Sequence, residues 1–213
     1  MGIYGKISLE ENIMRKFSKL SIVVSHEGDE NSVFSAQVVE MISGQTSVQM
    51  SDFESTLGML PPGSYVSVVA KGTVGNRTVH NISRIIRENC VFVFLDLSSV
   101  KELSRVFASP FRENQNLVGI TFPKNLLSLG EAAFENCRNL ESVTIPKSVK
   151  KIGKRAFSGC EKLTLLEFED AEGWFVEKDG ENQPIENLHQ SEDNPYRFTL
   201  PSSPLRNYEI EKT

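Results

Sequence analysis

AFENCRNLESVTIPKSVKKIGKRAFSGCEKL, residues 133–163, holds one pattern and the start of its repetition. A step of 23 residues carries Phe134 onto Phe157, Cys137 onto Cys160 and Leu140 onto Leu163. The same step backwards reaches Phe111, Asn114 and Leu117. The phase continues through Ile120, Val143 and Leu166, then Phe122, Ile145 and Phe168, and also pairs Leu126 with Val149 and Leu129 with Ile152. Phe94, Leu97, Leu103 and Val106 fill the matching slots of a weaker first unit. Apolar positions held in phase over 94–168 identify an internal repeat, the feature that decides the architecture.

The spacing within one unit dictates its shape. Val143, Thr144 and Ile145 alternate with the period of two that a half-buried strand requires. Pro146 follows directly, where its missing N–H removes no ladder bond. SVKKIGKRAF then turns the chain back, and Val149, Ile152, Ala156 and Phe157 supply a second apolar wall. One unit cannot bury that wall alone. Stacked units can, which predicts an α/β solenoid with one short parallel strand per 23-residue repeat.

The quoted segment resembles the BspA-like leucine-rich repeat of bacteria, also called the Treponema-type repeat. VFLDLSSVKELSRV is similar to the opening unit of that group, and LEFEDAEGWFVEKDG with NPYRFTLP resembles its closing segment. The resemblance spans about 64–213 and is most specific over 94–168. Two positions depart from the pattern: Ser99 stands in place of a core apolar residue and Glu169 in place of a proline. The resemblance implies a bacterial protein on the cell surface or secreted, some members of the group binding host matrix components in adhesion.

The units at either end of a solenoid need polar-faced caps. Residues 1–88 are expected to form a small α/β accessory and N-cap region, 89–173 the three to four repeats, and 174–213 a C-terminal cap. Ser8 with Glu11 and Ser51 with Glu54 have capping-box spacing. Apolar stripes follow at Ile13–Phe17–Leu20 and Phe53–Leu57–Leu60, then strand-like SIVV and SYVSVV. Thr78 is expected to cap a helix with Val79, Ile82, Ile85 and Ile86 on one face. Downstream, Asp179-Gly180 signals a β-hairpin, and Trp174, Phe175, Val176, Tyr196, Phe198 and Tyr208 are available to cover the last unit.

Composition narrows the function. The 213 residues are 39% apolar and 24% charged with net charge −5, suited to a folded core and lacking the basic footprint of a nucleic-acid binder. No stretch reads as a signal peptide or a membrane span, so the chain as written would stay soluble and cytoplasmic; a mature form, or a chain missing its leader, is the equal alternative. Three cysteines without CxxC spacing argue against disulfide and zinc frameworks. His26, His80 and His189 are scattered. No catalytic constellation, metal site or cofactor is expected, and Cys137 and Cys160 should be buried. KSVKKIGKR gathers Lys147, Lys150, Lys151, Lys154 and Arg155, whereas nine acidic residues fall between Glu169 and Asp193. This reads as solvated surface, or as a polarised surface that steers a charged partner.

The expected function is protein binding by the concave strand face. Its candidate residues are Asp96, Gly119, Ser142 and Leu165 in one column, and Ser98, Thr121, Thr144 and Glu167 in the next, a mostly small and polar ladder. The alternative is a structural spacer or assembly unit without a dedicated ligand.

Overall fold

Each 23-residue unit contributes one strand to each of two sheets. The computed structural model describes the backbone of residues 20–26, 35–40, 48–178, 181–189, 193–199 and 204–213, with side chains from residue 53 on, those of Tyr196, Pro204 and Arg206 excepted. The helix expected from Ser8 onward lies outside the described residues. In chain order the elements are β1 (Leu20–His26), β2 (Ser35–Glu40), β3 (Val48–Asp52), α1 (Phe53–Gly58), β4 (Tyr65–Thr73) and α2 (Asn76–Glu88). Next come β5 (Phe92–Asp96), β6 (Val100–Lys101), β7 (Arg105–Val106), β8 (Leu117–Thr121), β9 (Ser128–Leu129), β10 (Ser142–Ile145), β11 (Lys151–Ile152) and β12 (Leu165–Phe168). The chain ends with β13 (Trp174–Lys178), β14 (Glu181–Pro184), α3 (Asn194–Thr199), a 3-10 turn (Pro204–Asn207) and β15 (Ile210–Lys212).

In the first sheet β8, β10 and β12 are parallel, with Val143 opposite both Ile120 and Leu166. In the second, β7, β9 and β11 are parallel, with Val106, Leu129 and Ile152 in register. All six of these side chains are buried between the sheets. The rings of Phe111 and Phe134 stack at 5.1 Å, and those of Phe134 and Phe157 at 5.5 Å, within 5° of parallel. The repeat thereby becomes a column of rings along the core.

The turns between sheets recur as faithfully as the core. Ser109, Ala132 and Arg155 take left-handed φ of 59°, 52° and 56°, and Glu113, Asn136 and Gly159 take 60°, 59° and 72°. Two left-handed residues per unit fold the chain tightly, and the strain is accepted because it places backbone donors against the next unit. Ser109, Phe111 and Glu113 donate their N–H groups to the carbonyls of Glu131, Ala133 and Glu135. Ala132, Phe134 and Asn136 donate likewise to Lys154, Ala156 and Ser158. Buried backbone groups that no helix or long strand could satisfy are paired between units.

Cys137 and Cys160 lie in the same column, and both are buried as expected. They also have a polar role. Cys137 Sγ donates to Phe111 O at 2.9 Å, and Cys160 Sγ to Phe134 O at 3.1 Å. Asn114 holds the equivalent position, and its Nδ2 donates to Ser83 O at 2.9 Å, tying the first unit to α2.

Residues 53–88 extend the repeat sheet. Val68 on β4 pairs with Leu95 on β5, and Leu95 with Ile120, all parallel. β1 lies parallel to β4, and β2 and β3 add antiparallel strands, giving the order β12-β10-β8-β5-β4-β1-β2-β3. The division at 88/89 thus falls inside one sheet. Between β4 and β5, α2 occupies the place of the short turn, burying Val79, Ile82, Ile85 and Ile86. The helix starts two residues before Thr78: Gly75 is the N-cap without a side-chain cap bond, and Thr78 is buried in the first turn. At the other end Asn116 Nδ2 donates to Ile86 O at 2.9 Å and to Asn89 O.

The C-terminal segment continues the second sheet. β13 pairs antiparallel with β14 and β15, and β15 with β11. The strands on either side of Asp179-Gly180 form the hairpin, the two turn residues lying outside the described set. Phe198 of α3 meets Phe157 edge-on at 6.5 Å, and Trp174 meets Phe168 edge-on at 5.3 Å. Asn194 Nδ2 donates to Leu166 O at 2.8 Å on β12.

Candidate binding face

On the first sheet alternate side chains leave the core, and the pairing register decides which of them align. Gly119, Ser142 and Leu165 are in register, as expected. Phe94, and not Asp96, is the β5 residue opposite Gly119. Asp96 pairs with Thr121, while Thr144 pairs with Glu167. Ser98 falls in the turn after β5, exposed, its N–H donating to Asp96 Oδ1 at 2.8 Å.

The shift has a local cause. Leu95 and Ile120 are 25 residues apart, whereas Val106 and Leu129 are 23 apart. The first unit therefore carries two extra residues between its strands, absorbed where β6 leaves the path to pair with β4. A bulge in β8 then takes one of the two back, because Val93 pairs with Leu117, 24 residues on, while Phe94 pairs with Gly119, 25 residues on. Two successive residues, Val118 and Gly119, consequently stand on the open face.

The bulge builds a feature that sequence reasoning missed. Val118, 2% exposed, packs against half-buried Tyr65, Phe92 and Phe94 as a small apolar cluster separate from the main core. The Tyr65 and Phe92 rings lie 4.8 Å apart, tilted by 31°. The open face is aromatic over β4 and β5, with Val118 and Gly119 of β8 beside the rings, and mostly polar over β10 and β12, where Thr144 Oγ1 donates to Glu167 Oε2 at 3.4 Å. The available signal was the run Val91–Leu95, apolar at every position, which a strand can bury only on both of its faces.

Chemistry elsewhere is muted. Burial pushes the Cys137 thiol from 9.0 up to about 12 and raises that of Cys160 as well, so neither forms a thiolate nucleophile near neutrality. Among the described residues no group of three or more His, Cys, Asp or Glu could hold a metal ion, and no helix is long and apolar enough to cross a membrane. His80 and His189 are exposed, and the side chain of His26 lies outside the described set. The expected basic cluster is partly neutralised: Lys151 Nζ meets Glu209 at 2.7 Å and Glu211 at 3.1 Å, and Arg155 Nη2 meets Glu131 at 2.9 Å. In the acidic segment, Lys212 holds the Asp170 carboxyl below the usual range.

Residues 80–173 match the family model described as the BspA type leucine rich repeat region, in six copies. No curated protein matches the chain.

Proposed function

Because residues 80–173 are a BspA-type leucine-rich repeat region, we propose that this chain is a non-catalytic protein-binding module whose contact surface is the open face of its first sheet. The aromatic cluster of Tyr65, Phe92 and Phe94 on Val118 carries this reading. Half-buried aromatic side chains on a rigid sheet are the usual anchors of protein interfaces, because they bury large area with few rotatable bonds. The neighbouring ladder of Asp96, Thr121, Ser142, Thr144, Leu165 and Glu167 supplies a mostly polar rim. Backbone pairing between units holds these positions rigid before any partner arrives, which lowers the cost of binding.

The same reading makes residues 89–173 a short solenoid, with residues 1–88 and 174–213 as its caps. The bacterial surface or secreted setting comes from the family resemblance.

Partner capture with the whole chain tests the proposal. Phe92→Ser, Thr144→Trp and Glu167→Lys should each release the partner, while Lys154→Glu on the other side of the molecule should keep it. Capture unaffected by all three open-face changes, in chains that still fold, would favour the spacer reading and remove this one.

A further inference from the structure

The second sheet carries a surface of a different kind, and the repeat itself supplies the comparison that exposes it. Phe107 occupies the position held by Gly130 and Gly153 in later units. There a side chain is forbidden: a Cβ at Gly130 would stand 2.3 Å from Phe107 O, and one at Gly153 2.4 Å from Glu131 N. At Phe107 the backbone N–H is tied to Asn76 Oδ1 at 2.9 Å, and the ring, 57% exposed, points away from the core. Leu127 similarly stands where the units before and after have Ser104 and Lys150, and it is 43% exposed. Neither side chain is needed by the core.

Both line one groove of about 560 Å³. Its carboxylates are already engaged, Glu209 by Lys151 at 2.7 Å and Glu131 by Arg155 at 2.9 Å. Arg105 and Lys150, also in its lining, form no ion pair within 4 Å among the described residues, and Lys150 lies near enough to Asp170 to help lower that carboxyl. In a chain of net charge −5, this leaves an apolar cleft with an excess of positive charge at its rim. Exposed apolar area bordered by charge marks an interaction site, and the sign of the charge selects the partner.

We propose that the groove between Phe107 and Leu127 docks an acidic peptide segment of another protein, seating one aromatic or aliphatic side chain between them. Arg105 and Lys150 then face carboxylates on either side of that anchor. This surface is independent of the open face of the first sheet.

Selection of random-sequence peptides displayed on phage against the intact chain, with counter-selection on the Phe107→Ser/Leu127→Ser chain, tests the assignment. Both side chains are exposed, so the double variant should keep the parent melting temperature. If it does not, Arg105→Glu/Lys150→Glu serves in its place. The expected peptides have Asp or Glu flanking a Phe, Trp, Leu or Ile. A labelled synthetic copy should bind the groove variants about tenfold more weakly or worse, weaken as salt rises, and bind Phe92→Ser unchanged. Neutral or basic peptides, no groove-dependent peptide, or equal displacement by single-stranded oligonucleotide would overturn the proposal. So would self-association of the intact chain in sedimentation that Phe107→Ser abolishes, since the occupant would then be a second copy.

Discussion

The Phe94 ring lies across the α-carbon of Gly119 on the neighbouring strand, so that a Cβ at residue 119 would stand 2.5 Å from Phe94 Cδ2. The missing side chain at 119 is the seat of the aromatic cluster. Gly119→Ala should displace the ring and cost about 1–3 kcal/mol, the range for overpacking. In a Phe94→Ala background the same change should be close to neutral. Urea unfolding of the four chains checks this, and additive costs would mean that the ring and the glycine are not coupled.

Phe134 sits between Phe111 and Phe157 in the ring column and also meets Phe122 edge-on at 5.9 Å. Phe134→Ala should lose about 3–5 kcal/mol. The loss should be no smaller than that for Phe157→Ala, whose ring stacks on one side and meets Phe198 on the other. Denaturant midpoints decide the order, and a near-neutral Phe134→Ala would contradict the column.

Cys137 and Cys160 bring a pH dependence with a definite sign. Their folded pKa values are raised, Cys137 to about 12, because burial disfavours the thiolate. The unfolded chain ionises its thiols at about 8.5, so between there and the folded values the native state binds more protons. Their stabilising contribution is intact below about pH 8.5 and is lost as pH rises towards 12, at up to ~1.4 kcal/mol per unit for each thiol. Cys137→Ala/Cys160→Ala should flatten the decline between pH 8.5 and 10.5 measured by urea unfolding. An unchanged slope would show that other groups cause it. At pH 8 a thiol reagent should label exposed Cys90 and spare the other two in the native state.

Asn116 holds the C-terminal end of α2 through Ile86 O, and Asn114 holds its middle through Ser83 O. Asn114→Cys brings the first unit into agreement with Cys137 and Cys160, yet it should destabilise by about 1–2 kcal/mol. A thiol is one weak donor, whereas the amide reaches both Ser83 O and Ser83 Oγ. Amide exchange in α2 should accelerate. A chain stabilised by the substitution would show that repeat regularity outweighs the helix contact.

Much of this was readable from periodicity. The columns of Phe134, Cys137, Leu140, Val143 and Ile152 are buried as their spacing required, because a residue facing the core of one stacked unit faces it in the next. The open-face columns of β8, β10 and β12 follow from the same logic. Phe94 and Asp96 were misplaced because constant spacing was extended across a unit with two extra residues and a bulge. Only hydrogen-bond pairing reveals where such residues are absorbed. β2 and β3 carry no repeat signal, and their antiparallel addition to β1 depends on partners far from them in sequence. Phe107 and Leu127 were visible as departures from the repeat, but their shared groove was not.

From sequence alone came the unit length, the inward-facing residues and the parallel order of the repeats, since each depends on contacts between equivalent positions a fixed number of residues apart. The tertiary structure decided what breaks that equivalence. It joined β4 and α2 to the repeat sheet, set Phe94 over Gly119, and opened the cleft between Phe107 and Leu127. Each of these depends on a contact between residues that no period relates.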